Sequence, residues 1–119
     1  TEAWGRINQP PFFNQVVLIE TVLEPQDLLE FVKSIESKCG RKLTLERFMP
    51  RTIDIDILFY DNRIYSSEQL KIPHPLIHER KFVLIPMVQI APTYVHPVLG
   101  RTILQLLGRC TDELTVRKV

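Results

Sequence analysis

Residues 51–60, Arg-Thr-Ile-Asp-Ile-Asp-Ile-Leu-Phe-Tyr, constrain this 119-residue chain more than any other stretch. Strand side chains alternate faces, so the run predicts a strand with Ile53, Ile55, Ile57 and Phe59 on one side. Thr52, Asp54, Asp56, Leu58 and Tyr60 fall on the other. Two carboxylates two residues apart on a strand share a face, with Cα atoms about 6.6–6.8 Å apart. At an effective dielectric of about 20, charges about 6.5 Å apart repel by roughly 2.5 kcal/mol. Asp is also poorly suited to strand interiors. Alone, the triplet fits a solvated edge strand as well as a site. As a site it calls for facing arginines or a divalent cation; magnesium takes carboxylate and phosphate oxygens together, and two such ions about 3.5–4 Å apart can bridge paired carboxylates.

Charge placement favours the second reading. The chain as a whole carries only +1, which gives no argument for a nucleic-acid or membrane partner. Residues 1–37 carry a net −4, however, and residues 38–51 a net +4 from Lys38, Arg41, Lys42, Arg47 and Arg51 against Glu46. A basic run beside an acidic pair offers phosphate clamps and metal ligands together, which is the equipment of phosphoryl transfer. Strict alternation sets Arg51 on the isoleucine face, so it reaches a phosphate only if the strand is irregular after Pro50.

The remaining pattern predicts one small domain over residues 1–119, with 45% hydrophobic and 24% charged residues, typical of a globular chain. Residues 2–11 read as a loop that Pro10-Pro11 keeps from being helical, and residues 12–23 as a long, largely buried strand. Leu28, Leu29, Val32 and Ile35 form a helical stripe that starts at Pro25 and is expected to stop at Gly40, with 40–50 a loop. Asp61-Asn62 signals a turn, 63–65 a short returning strand, and 71–75 an extended segment held by prolines around His74. Residues 79–90 predict a short apolar helix in which Pro86 sits in the first turn or kinks it. Thr102 with Gln105 predicts a capping box for a last helix ending at Gly108. No apolar run is long enough to span a membrane, and two cysteines, Cys39 and Cys110, are too few for a disulfide framework, so a reduced cytoplasmic setting is expected.

The string Arg47-Phe48-Met49-Pro50-Arg51-Thr52-Ile53-Asp54-Ile55-Asp56-Ile57-Leu58 resembles the signature of the 6-hydroxymethyl-7,8-dihydropterin pyrophosphokinases. Two further blocks resemble that family: Gln9-Pro10-Pro11-Phe12-Phe13-Asn14, and Pro73-His74-Pro75 through Glu79-Arg80-Lys81-Phe82 to Pro92. The resemblance implies an α+β, ferredoxin-like α/β sandwich with an antiparallel sheet and extra C-terminal helices. It also implies transfer of pyrophosphate from ATP to the hydroxymethyl group of the reduced pterin, releasing AMP. By similarity, Asp54 and Asp56 hold two Mg²⁺ ions. Arg41, Arg51 and Arg80 match positions on the ATP phosphates, with Arg47 a weaker member, and His74 matches an ATP contact; Arg41 and Arg51 join the two aspartates as the catalytic set. Phe12 and Phe82 match the aromatic pair around the pterin, Asn14 the amide at its edge, and Thr1, Glu2, Trp4 and Phe48 the rest of that pocket. Loops near 2–12 and 41–51 are expected to close over the ligands. The chemistry suits these roles, since a flat heterocycle fits between aromatic faces and arginine forks fit phosphates.

Three departures from the family pattern stand out. Leu43 replaces a second basic residue, and Phe48 stands where Trp is frequent. The family's first strand and helix have no counterpart before Thr1, so an N-terminally truncated or processed form is expected, a monomer or one completed by a missing segment or another chain. Two other readings remain open at this point: a metal-dependent phosphohydrolase on the same carboxylates, and an inactive ferredoxin-like fragment or interaction module.

Overall fold

The computed structural model describes residues 14–45 and 53–113. Helix α1 spans Pro25–Leu45, strands β1 (Tyr65–Ser66) and β2 (Lys71–Ile72) follow, then a 3₁₀ turn Ile77–Glu79, helix α2 (Lys81–Ile90) and helix α3 (Ile103–Arg109). The result is a small α+β chain with three α-helices and a two-stranded antiparallel sheet among the described residues. It divides into two compact units, residues 21–74 and residues 14–20 with 75–113. Among the described residues no helix is long and apolar enough to cross a membrane.

In the 21–74 unit, α1 begins at Pro25 as the pattern requires, because the missing proline N–H is one that a first turn does not use. Leu28 and Val32 are buried and Leu29 and Ile35 half-buried, which matches the apolar stripe. The helix does not stop at Gly40 but continues to Leu45, so Arg41 lies on a helix and not in a loop. A helical glycine costs about 1 kcal/mol against alanine, and good helix formers such as Arg41, Lys42 and Leu43 carry the turn onward. The β1–β2 hairpin pairs Tyr65 with Ile72 and Ser66 with Lys71. Gln26 of α1 ties to it by accepting from the Tyr65 hydroxyl at 3.1 Å. The Asp61-Asn62 turn forms, with Asp61 at φ 49°, a left-handed conformation that Asp tolerates better than most residues. Ile72–Pro73 is a cis peptide bond.

Neither long strand forms among the described residues. Residues 14–21 are irregular, and Leu18 is 88% exposed where a buried strand was expected. Residues 53–60 likewise join no ladder. Strand propensity is a property of a paired surface, and no ladder partner for either segment lies among the described residues.

The other unit holds α2 packed on α3 over a core of Ile77, Val83, Leu84, Met87, Ile103 and Leu106. Pro86 falls at the sixth position of α2, past its first turn, so the Phe82 carbonyl has no i+4 N–H to accept. The predicted capping box is present: Gln105 N–H donates to Thr102 Oγ1 at 3.1 Å and Thr102 N–H to Gln105 Oε1 at 2.9 Å. Gly108 lies inside α3, which ends one residue later at Arg109. Ahead of α3, a turn closes with Gly100 N–H donating to the His96 carbonyl at 2.9 Å. Gly100 has φ 69°, where a side chain would strain the backbone.

Candidate functional site

Exposure follows the expected alternation only over residues 54–57, because Ile53, expected on the inward face, is exposed. Asp54 and Asp56 are exposed, while Ile55 and Ile57 are half-buried. The alternation does not continue to residue 60, since Leu58 and Tyr60 are half-buried although they share parity with the aspartates. At that end both sides are engaged: His74 N–H donates to the Leu58 carbonyl at 2.9 Å, and the Tyr60 hydroxyl donates to the Leu23 carbonyl. The first of these bonds ties His74 to the segment that carries Asp54 and Asp56. Between the two aspartates, the Ile55 N–H donates to Glu36 Oε2 of α1 at 2.7 Å. A charge-assisted bond of this kind is roughly twice as strong as a neutral one. It holds the peptide that joins Asp54 to Ile55.

In the second unit, Arg80 occupies the N-cap of α2 and its guanidinium lies 5.5 Å from the centre of the Phe82 ring. This is cation–π range. The two side chains assigned by resemblance to phosphate and to pterin therefore touch each other at one helix end, both half-buried. Asn14 belongs to the same unit and is exposed. Asp54, Asp56 and His74 belong to the 21–74 unit, as does the backbone of Arg41. Thr1, Glu2, Trp4, Phe12, Arg47, Phe48 and Arg51 lie outside the described residues. An open cleft of about 490 Å³, lined by His78, Glu79 and residues 109–113, contains none of the predicted site residues.

Two acidic side chains that hold backbone at these places went unnoticed in the sequence. Glu36 had a signal, because it continues the inward spacing Leu28, Val32, Glu36, and a carboxylate on a buried stripe needs a partner. Asp112, whose Oδ2 accepts from Lys81 N–H at 3.1 Å across 31 residues, had none.

Among the described residues no three His, Cys, Asp or Glu side chains group to hold a metal. Two exposed carboxylates by themselves fit magnesium, which binds one or two carboxylates and takes its other ligands from phosphate oxygens and water. Each unit by itself thus offers one kind of group, an exposed acidic pair of the type that suits a divalent cation in one and an arginine of the type that suits phosphate in the other.

Comparison with known proteins gives that chemistry a family. A sequence model of the 7,8-dihydro-6-hydroxymethylpterin-pyrophosphokinases (HPPK) matches residues 1–92, and the chain belongs to this family. It is 43% identical over 105 residues to the 2-amino-4-hydroxy-6-hydroxymethyldihydropteridine pyrophosphokinase of Synechocystis, covering 87% of this chain and 53% of the relative. To the enzyme of the same name in Aquifex aeolicus it is 43% identical over 100 residues, covering 82% and 61%. To the folic acid synthesis protein FOL1 of Dictyostelium discoideum it is 48% identical over 94 residues, 79% of this chain but 14% of that much longer protein. The chain thus spans between a seventh and three fifths of these relatives' length.

Proposed function

We propose that this chain carries the catalytic segment of a pyrophosphokinase that moves pyrophosphate from ATP to the hydroxymethyl group of 6-hydroxymethyl-7,8-dihydropterin, with AMP as the other product. The observation that carries the reading is the acidic pair itself: Asp54 and Asp56, both exposed, leave a segment whose central N–H is pinned by Glu36. Family membership and the names of the relatives support it.

In this reading Asp54 and Asp56 would hold two magnesium ions, whose chemistry there would be the neutralisation of phosphate charge. Protein groups supply the rest. Arg41, Arg51 and Arg80 clamp phosphates, His74 contacts the nucleotide, and Phe82 with Phe12 sandwiches the pterin while Asn14 reads its edge. Thr1, Glu2, Trp4 and Phe48 complete that pocket. Positioning and charge neutralisation carry most of the rate in such transfers. The Arg80–Phe82 contact supports this division, since one helix end would address both substrates. The ferredoxin-like sandwich is the fold we assign to this domain.

The test is nucleotide analysis of the chain incubated with Mg²⁺ and ATP, with and without the pterin. AMP that forms only when the pterin is present supports the reading. Phosphate or pyrophosphate released without pterin refutes it in favour of hydrolysis.

A further inference from the structure

Helix α2 begins in a way that its own sequence does not support. Its N-cap is Arg80, whose side chain has no acceptor to offer the first-turn N–H groups, where Ser, Thr, Asp or Asn is favoured. Its first residue is Lys81, and no acidic residue lies in the first turn. Two cations therefore stand at the positive end of the helix dipole, the unfavourable arrangement. Within the turn, Val83 N–H and Leu84 N–H both donate to the Arg80 carbonyl, at 3.0 and 3.1 Å, whereas the Lys81 N–H has no acceptor within its own helix. The acceptor comes from elsewhere: Asp112, three residues past the end of α3, takes the Lys81 N–H on Oδ2 at 3.1 Å. Asp112 is half-buried, and α3 packs on α2, so the carboxylate is delivered by the neighbouring helix.

We propose that Asp112 is a positioning residue for Arg80 and Phe82: by accepting the Lys81 N–H it fixes the start of α2, and with it the guanidinium and ring that flank that peptide. The inference rests on the proposed function for what Arg80 and Phe82 bind, and on the hydrogen bond alone for how they are held. A local rule is broken where an arginine is wanted for a ligand, and a distant carboxylate makes up the loss. Asp112 lies beyond residues 1–92, so the tether falls outside the part of the chain matched to the family.

Asp112→Ala and Asp112→Asn of the full chain test this. In Asp112→Ala, hydrogen-exchange protection of the Lys81 amide should fall by about 2- to 30-fold, the range for a lost cap. The ring-current shift of the Arg80 side chain should vanish, while protection of Leu106 in α3 stays as it was. Binding of Mg²⁺ with a non-hydrolysable ATP analogue should weaken several-fold. Asp112→Asn keeps an acceptor and should restore most of each quantity. Unchanged Lys81 exchange and Arg80 shifts in Asp112→Ala overturn the proposal, and so does tighter analogue binding, which would make Asp112 a competitor for the phosphate. If the native chain binds no analogue, the role assigned to Arg80 falls; the exchange and shift data still decide whether Asp112 holds this helix end.

Discussion

Glu36 of α1 accepts the backbone N–H of Ile55 at 2.7 Å, so a helix carboxylate grips the peptide that separates Asp54 from Asp56. Removing the acceptor leaves a half-buried N–H without its partner, which costs about 1–3 kcal/mol. Glu36→Ala should therefore lower unfolding stability by about that amount in urea titration, whereas Glu36→Gln, which retains a carbonyl oxygen, should lose less than half as much. Equal losses in the two variants would mean that charge, and not the hydrogen bond, is what Glu36 supplies.

The acidic pair predicts an opposite sign. Two like charges on neighbouring exposed positions repel, so Asp56→Ala should leave the thermal midpoint equal or raise it, while Mg²⁺-dependent analogue binding and AMP formation are lost. Calorimetric unfolding and nucleotide analysis read the two effects separately. A large drop in midpoint would identify Asp56 as structural, and retained turnover would remove it from the metal site.

Local signals were the legible part of this fold. The Thr102–Gln105 capping box, the Asp61-Asn62 turn and the start of α1 at Pro25 each follow from side chains within four residues of one another. Helix α1 runs past Gly40 to Leu45 because glycine only lowers helix stability and the residues after it favour continuation. Residues 14–23 and 53–60 join no ladder among the described residues for another reason: residue type and alternation describe one segment, but a ladder needs a second one. At the candidate site the same division holds. The shared exposure of Asp54 and Asp56 follows from their spacing, whereas the Asp112–Lys81 bond joins residues 31 apart and leaves no periodic trace.

The capping box allows a clean energetic test. Thr102 accepts from Gln105 N–H and Gln105 Oε1 accepts in return from Thr102 N–H, which serves two N–H groups that α3 would otherwise leave unpaired. Thr102→Ala should destabilise the chain by about 1 kcal/mol and Thr102→Ser by no more than a few tenths. Urea unfolding with unchanged m-value is the expected signature. Because α3 packs on α2, Lys81 exchange in Thr102→Ala also reports whether loosening α3 reaches the Asp112 tether.

A pH dependence follows from His96, which is 5% exposed. Its Nδ1 accepts from Val98 N–H at 3.1 Å and Leu99 N–H at 3.0 Å, standing in for the oxygen of an Asx turn. Burial pushes its pKa below the ordinary 6.5, and the nearby His78 pushes the same way. Protonation would set a hydrogen on Nδ1 against two N–H donors. In the unfolded chain His96 takes up its proton first as the pH falls, so below about pH 6.5 the unfolded state binds more protons and stability drops; above it, this group contributes no slope. The loss levels off once the pH passes the folded pKa, at about 1.4 kcal/mol for each unit separating the two values. His96→Asn keeps an acceptor for the same two N–H groups and has nothing to titrate. Unfolding measured from about pH 7.5 down to about pH 5 should therefore give a steeper fall for the native chain than for His96→Asn. Parallel curves would show that His96 does not couple this turn to protons.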